Sequence, residues 1–259
     1  YSASFRSAMQ QLWGSSSNNV FEHAIIATLD TGVSENFLIN PSSAAKANLF
    51  VGGSGVDILT GSNGNDLLYG EYGVVSGTIG DTIFGRDGND ILIGGSRADK
   101  LDGGIGNDIL FGIGGNDTID GGAGEDTVSY AYIKDVTAIN LITGKTIVGA
   151  GSGYKTDTLS NIEDVIGGGG NDNIFGNALG NKITGGGGND IISGGTGNDI
   201  FVFNTGDGID TILDPEAGDR IMFNGVTLQG TATSLGGGKY SLNGVTLQGQ
   251  GRDLFATTD

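Results

Sequence analysis

The sequence predicts an all-β chain wound as a two-sheet parallel β-solenoid, and three observations predict it. Glycine supplies 52 of 259 residues, far above the usual share of about 7%, with two prolines and no collagen triplet. From Gly52 a nine-residue period takes over, the mark of units that bury their apolar faces only by stacking. An apolar residue holds the eighth position of every unit, two places after an aspartate in all but one of them.

Bulk composition narrows the partners. A net charge of −18 and a pI near 4.1 disfavour nucleic acid, whose phosphates need Lys and Arg, and anionic membranes; no nucleic-acid partner is expected. They suit hard cations, which take oxygen ligands. There is no cysteine, so disulfides, thiol catalysis and thiolate metal sites are excluded, and either the cytosol or a secreted bacterial setting remains open. The chain starts at Tyr1 without methionine, as a fragment or processed product would. No signal-peptide pattern appears, and no apolar run approaches the ~20 residues of a membrane helix.

Residues 1–50 read as an N-terminal cap or a junction to an upstream domain. Phe5, Ala8, Met9, Leu12 and Trp13 fall on one helical face, which predicts a short helix over Ser4–Trp13. "SSSNN" (15–19) is a loop, and "VFEHAIIATLD" (20–30) suits either helix or strand. A first repeat block, 51–129, has units starting at Gly52, Gly61, Gly70, Gly85, Gly94, Gly103, Gly112 and Gly121; a second, 167–202, has units at Gly167, Gly176, Gly185 and Gly194. Aligned, they read G-G-x-G-x-D-x-U-x with U apolar. Position six is Asp57, Asp66, Asp81, Asp90, Asp99, Asp108, Asp117, Asp126, Asp172, Asp190 and Asp199, with Asn181 the exception. Position eight is Leu59, Leu68, Ile83, Leu92, Leu101, Leu110, Ile119, Val128, Ile174, Ile183, Ile192 and Phe201.

Three segments interrupt or end the pattern. The Gly70 unit carries six extra residues within "VVSGTIG" (74–80), a protruding loop. The spacer 130–166 is one residue longer than four nonapeptides and contains strand-like "VTAINL", so it is expected to continue the winding with irregular turns. Beyond Val202 a degraded pattern leads into a β cap, 203–259, where "NGVTLQG" occurs at 224–230 and 243–249 beside an expected hairpin.

Each unit has a mechanical reading. Its x-U-x end is a very short alternating strand, and its G-G-x-G-x-D end is a turn whose glycines permit positive φ and close backbone approach. Copies stacked about 4.8 Å apart form a parallel sheet. Two units per coil set the position-eight side chains into a thin shared core. The aspartates then stand in columns on both sides. Like charges a few ångströms apart repel by about a kcal/mol in water and several near a protein surface, and Lys and Arg are too sparse to intervene. Calcium suits such columns, accepting six to eight oxygens from carboxylates and carbonyls, whereas magnesium wants strict octahedral geometry and keeps its waters.

In these repeats the chain resembles the repeats-in-toxin (RTX, haemolysin-type) calcium-binding proteins, over roughly Gly52 to Asp219. The resemblance implies a right-handed parallel β-roll binding several Ca2+ ions, roughly six to ten. Each ion lies between consecutive turns on one side, so unit n pairs with unit n+2. One turn gives the carbonyls of positions one and three, the next those of positions two and four, and both give the aspartate. Carried onto this sequence, the implied ligands are Gly52, Gly53, Ser54, Gly55 and Asp57; Gly61, Asn63, Gly64 and Asp66; Asp81; Gly85, Asp87, Gly88 and Asp90; Gly94, Gly95 and Asp99; Gly103, Gly104, Ile105, Gly106 and Asp108; Gly112, Gly114, Gly115 and Asp117; Gly121, Gly122, Ala123, Gly124 and Asp126; Gly167, Gly168, Gly169, Gly170 and Asp172; Gly185, Gly186, Gly187, Gly188 and Asp190; Gly194, Gly195, Thr196, Gly197 and Asp199; and Asp210. Gly103, Ile105 and Asp108 are expected to share an ion with Gly122, Gly124 and Asp126 or their neighbours across a turn. Arg97 at a glycine position, Leu179 with Asn181, and the insertion before Asp81 weaken three sites.

The family further implies a bacterial protein exported by type I secretion, unfolded in transit, with a C-terminal signal that "GQGRDLFATTD" (249–259) is compatible with. It folds on meeting extracellular calcium and supports the folding of an attached domain. At ligand ten-fold above Kd one site contributes about 1.4 kcal/mol, so roughly eight give about 11, comparable to the whole stability of a domain at about 5–15. The alternative is a structural surface-layer or adhesin segment that self-associates. Enzyme chemistry is not expected. His23 is the only histidine and lacks a Ser or Cys partner motif; "TGKT" (143–146) has Ile139 where a phosphate loop needs glycine, and reads as a turn. Paired carboxylates of glycosidase type are better explained as ligands. Asp207, Asp214 and Asp219, with Asp210, suit either further ligation or solvated acids, and Phe5, Trp13 and Phe21 suit packing.

Overall fold

The computed structural model describes residues 23–24, 36–38, 48–71, 79–135, 137–149, 154–216, 218–224, 233–236, 239–242 and 245–248. The helix expected over 4–13, most of the 74–80 loop and the segment 249–259 lie outside them. The described residues form two sheets and no helix. In spatial order the first sheet holds His23–Ala24, Asn48–Val51, Leu67–Tyr69, Ile91–Gly95, Ile109–Ile113, Thr127–Ser129, Asp164–Ile166, Lys182–Thr184, Ile200–Asn204 and Arg220–Asn224. The second holds Asn36–Leu38, Ile58–Thr60, Ile79–Asp87, Ala98–Ile105, Thr118–Ala123, Thr158–Ser160, Lys145–Val148, Thr137–Asn140, Asn173–Phe175, Ile191–Ser193, Thr211–Ile212, Val245–Gln248, Lys239–Leu242 and Thr233–Gly236.

The register follows from the repeat. Ile119 pairs with Leu101, Val128 with Leu110, Ile192 with Ile174 and Phe201 with Ile183, all in parallel. Pairing across two units means two units per coil, one in each sheet. All twelve position-eight side chains are fully buried at 0% exposure, which makes them the core. Burying a Leu or Ile contributes about 1.5–3 kcal/mol, and no single unit could bury its own without a stacked neighbour.

Alternation along a strand sends positions seven and nine to the opposite face. In the first sheet that face carries a second apolar cluster of Leu67, Ile91, Ile93 and Phe111, all buried, with Leu49, Tyr69 and Ile109 against it. Phe111 meets the ring of Tyr132 at 5.7 Å.

The spacer treats the two sheets differently. In the first, Thr127–Ser129 is followed directly by Asp164–Ile166 and then by Lys182–Thr184, in parallel. In the second, Thr158–Ser160 continues the parallel stack, but an antiparallel hairpin of Thr137–Asn140 and Lys145–Val148 enters before Asn173–Phe175. "TGKT" forms part of the hairpin's turn and return strand, with Gly144 at φ 62° and the Thr143 N–H donating to Asn140 Oδ1 at 2.9 Å. At the far end Val245–Gln248 joins Thr211–Ile212 in parallel, and Lys239–Leu242 and then Thr233–Gly236 continue the second sheet through antiparallel pairs.

Candidate metal centres

Position six lies where a strand leaves its turn, so the parallel stack aligns every position-six carboxylate. On one side of the solenoid Asp57, Asp81, Asp99 and Asp117 form a column, and on the other Asp66, Asp90, Asp108 and Asp126. Each column is stitched by one carboxylate oxygen: Oδ1 accepts the backbone N–H of the aspartate one coil earlier. The Asp57 N–H donates to Asp81 at 2.8 Å, that of Asp81 to Asp99 at 2.6 Å, and that of Asp99 to Asp117 at 2.9 Å. Across the solenoid Asp66 donates to Asp90 at 2.6 Å, Asp90 to Asp108 at 2.7 Å and Asp108 to Asp126 at 2.8 Å. The second block repeats this from Asp172 to Asp190 at 2.8 Å and from Asp190 to Asp210 at 2.9 Å.

The second oxygen, Oδ2, separates two kinds of turn. In Asp81, Asp90, Asp99, Asp108, Asp126, Asp190, Asp199 and Asp210 it is buried without a hydrogen-bond partner. Orphaning a buried polar atom costs about 1–3 kcal/mol, more for a charged group. Elsewhere the oxygen caps its own turn: Gly53 N–H donates to Asp57 at 2.9 Å, Ser62 N–H to Asp66 at 2.6 Å and Gly168 N–H to Asp172 at 2.7 Å. Asn181 does the same with its amide oxygen, accepting Asn177 N–H at 2.8 Å. These capped turns open each block. Many of the others hold positions two and four at positive φ, as Gly104 (109°) and Gly106 (137°), Gly122 (103°) and Gly124 (156°), and Gly186 (97°) and Gly188 (121°) do.

That alternation aims successive carbonyls in opposite directions along the stack. A β-carbon at Gly122 or Gly124 would collide with the carbonyl oxygens of Gly104 and Gly106, so positions two and four point forward. A β-carbon at Gly103 would collide with the carbonyl oxygen of Gly121, and Ala123 O accepts the Gly106 N–H at 2.9 Å, so positions one and three point back. The gap between the Gly103 and Gly121 turns is thus lined by the carbonyls of Gly104, Gly106, Gly121 and Ala123. This reverses the order expected from the sequence: Gly103 and Ile105 face the preceding turn, and Gly122 and Gly124 the following one. The exposed side chains of Asn63, Asp87, Ile105, Ala123 and Thr196 at position three leave only backbone carbonyls to contribute. Among the described residues no three His, Cys, Asp or Glu side chains converge as a metal cluster. A cation here therefore completes its shell from main-chain oxygens, which suits calcium. The orphaned Oδ2 atoms and convergent carbonyls fit that ion.

A family model described as the RTX calcium-binding nonapeptide repeat (4 copies) matches residues 46–73, 77–96, 93–128, 166–201 and 175–212. This is an RTX repeat chain. Among solved structures the chain matches the extracellular lipase LipA from Serratia marcescens at 15% identity and a TM-score of 0.26, over 82% of this chain and 39% of that one. The RTX chain thus spans well under half the length of the lipase. No curated protein matches it.

The RTX columns are hostile to charge without a counter-ion. Burial foremost, then neighbouring carboxylates, push Asp90 and Asp117 up to about 8 and Asp99 to about 7. Asp190 rises to about 7, and Asp108, Asp126 and Asp210 to about 6. The stitching N–H bonds oppose this but do not cancel it.

Several RTX column members escaped the sequence reading. Asp157 takes the Asp117 N–H at 2.9 Å and Glu163 that of Asp126 at 3.0 Å, both from the spacer. Their signal was acid-x-apolar without glycine, in Asp157-x-Leu159 and Glu163-x-Val165. Asp157 Oδ2 is satisfied by hydroxyls, Tyr130 at 2.8 Å and Thr146 at 3.2 Å. Position-five asparagines form a second ladder running the other way. Asn65 Oδ1 accepts Asn89 N–H at 2.9 Å, and Asn89 Oδ1 accepts Asn107 N–H at 3.0 Å. Of the C-terminal acids, Asp210 extends a column with an open oxygen. Asp219 accepts Asp199 N–H at 3.0 Å and caps Glu216, while Asp207 and Asp214 cap turns at Asn204 and at Gly194–Gly195.

Proposed function

We propose that the chain is a calcium-folded RTX module of a secreted bacterial protein, stacking its repeats only when calcium lies between the turns and so supporting export and folding of an attached domain. The observation that carries this is the row of eight buried carboxylate oxygens with no partner, together with the convergent backbone carbonyls of gaps such as that between the Gly103 and Gly121 turns. Calcium in those gaps supplies the positive charge that the columns lack and gives the orphaned carboxylate oxygens and carbonyls a partner.

The ligands are the open-turn aspartates 81, 90, 99, 108, 126, 190, 199 and 210 with carbonyls of the flanking turns, for roughly six to ten ions. The capped turns at Asp57, Asp66 and Asp172 play a supporting part, joining blocks 51–129 and 167–202 to what precedes each. The segments 1–50, 130–166 and 203–259 act as junction, spacer and cap. In cytosolic conditions of low calcium the uncompensated columns oppose stacking, which keeps the chain loose enough for a type I exporter. Outside, at millimolar calcium, the stack forms. That none of the described residues forms a helix long and apolar enough to cross a membrane is compatible with this route. Circular dichroism through a calcium titration tests the reading. The β signal is expected to appear cooperatively with calcium and not with equal magnesium; a full β signal in excess chelator at neutral pH would overturn it.

A further inference from the structure

Position four of a repeat turn is ordinarily glycine, and in the Gly94 turn it is Arg97. The side chain does not escape to solvent: Arg97 is 6% exposed. It reaches back past the Gly70 turn to the Gly52 turn. There Nη2 donates to the carbonyl oxygen of Gly55 and lies 3.4 Å from Asp81 Oδ1, while Nε lies 3.4 Å from Glu71 Oε2. Glu71 and Asp81 are buried too.

These three partners are the kinds of group that line the other gaps. Gly55 O is a position-four carbonyl, the forward-pointing class. Asp81 is the position-six carboxylate of the later turn. Glu71 stands at position two of that turn, held by Ser96 N–H at 3.1 Å and Ser96 Oγ at 2.7 Å. The Gly70 turn is the one followed by six inserted residues, and Glu71 takes the place of its position-two glycine while Gly73 holds position four. A guanidinium keeps its charge at any accessible pH and presents donors in a fixed fork. Buried, it persists because two carboxylates and a carbonyl satisfy it; stripped of them it would be strongly destabilising.

We propose that the Arg97 guanidinium stands as a tethered cation in the gap between the Gly52 and Gly70 turns, so that this gap closes without a metal ion. The chain thus supplies one of its own counter-charges, held by oxygens of the kinds that line the other gaps. Asp57 Oδ2 accepts the Gly53 N–H of its own turn, while Asp81 Oδ2 is buried without a hydrogen-bond partner. The proposal rests on the calcium reading above, since it names the gap that reading must omit.

Crystals of the calcium-loaded chain, with anomalous scattering recorded at long wavelength, give the direct test. Calcium peaks are expected in the gaps beside the open aspartates and none bridging Gly55 O to Asp81 Oδ1. A peak there, with Arg97 displaced, would overturn the proposal alone; no metal in any gap would overturn the calcium reading and this proposal with it. Two variants test it in solution by equilibrium dialysis and calcium titration. Arg97→Gly restores the repeat and is expected to bind one more calcium per chain. Arg97→Met leaves Glu71 and Asp81 uncompensated with the gap filled, so it should bind no extra ion and need several-fold more calcium to fold. A Gly variant with native β signal and unchanged stoichiometry, or a Met variant folding at the wild-type calcium level, would count against the tethered cation.

Discussion

Position two of many repeat turns sits in left-handed backbone, and two units hold it there without glycine: Arg86 at φ 83° and Ile113 at φ 76°. For an L-residue this region costs roughly 1–2 kcal/mol, and Ile113 is β-branched and 39% exposed, so little packing offsets the strain. Ile113→Gly is therefore expected to stabilise the calcium-loaded chain by about 1 kcal/mol, read from denaturant unfolding at saturating calcium. Nothing in the spacing of Ile113 marked it, because the strain comes from φ and the repeat pattern records only which residue is usual. The aspartates divide in the same way. Asp108→Asn removes charge from an open oxygen and is expected to lose at least one ion. Asp172→Asn leaves an amide oxygen to accept Gly168 N–H and should keep the stoichiometry. Equal losses from both would dissolve the distinction between open and capped turns. The sequence ranked these two aspartates alike, since both sit at position six and only the turn's φ values separate them.

Strand positions, by contrast, were readable almost residue by residue. A fixed D-x-U spacing and a nine-residue period leave one parallel register that buries every U, and Leu59 through Phe201 follow it. The spacer was only half legible. Its first-sheet strand, Asp164–Ile166, keeps the stack. Its second-sheet hairpin depends on the turn around Gly144 and on side chains distant in sequence. Tyr130 is one of these, 3% exposed, with its hydroxyl on Asp157 Oδ2. Here hydroxyls do what a cation is proposed to do elsewhere in the column, so this element should respond to mutation without any change in bound metal. Tyr130→Phe keeps the ring and removes that donor. It is expected to cost about 1–3 kcal/mol in denaturant unfolding at saturating calcium, with stoichiometry unchanged. A calcium loss of one ion would place metal at Asp157 and refute the substitution of hydroxyl for cation.

Across the whole molecule the two carboxylate columns set a pH dependence for the metal-free chain, and its sign can be worked out. In the stack, Asp90 and Asp117 rise to about 8, Asp99 and Asp190 to about 7, and Asp81, Asp108, Asp126 and Asp210 to about 6. Unfolded, each returns to about 3.9. Between those limits the stacked state binds more protons than the unfolded one, so its stability falls as pH rises. The stabilisation is fully present below about pH 4 and lost progressively as pH passes through 6 to 8. A proton can thus stand in for part of what calcium does, by neutralising a buried carboxylate instead of pairing it. Calcium-free protein brought from about pH 8 to about pH 5.5, above its isoelectric range, is expected to gain β signal and protection from proteolysis. Calcium added at the higher pH should do the same, with release of protons from the aspartates still protonated. If calcium-free protein showed the same lack of structure at both pH values, the buried columns could not be what holds the metal-free chain open, and the cost of ordering so many glycines would have to carry that role alone.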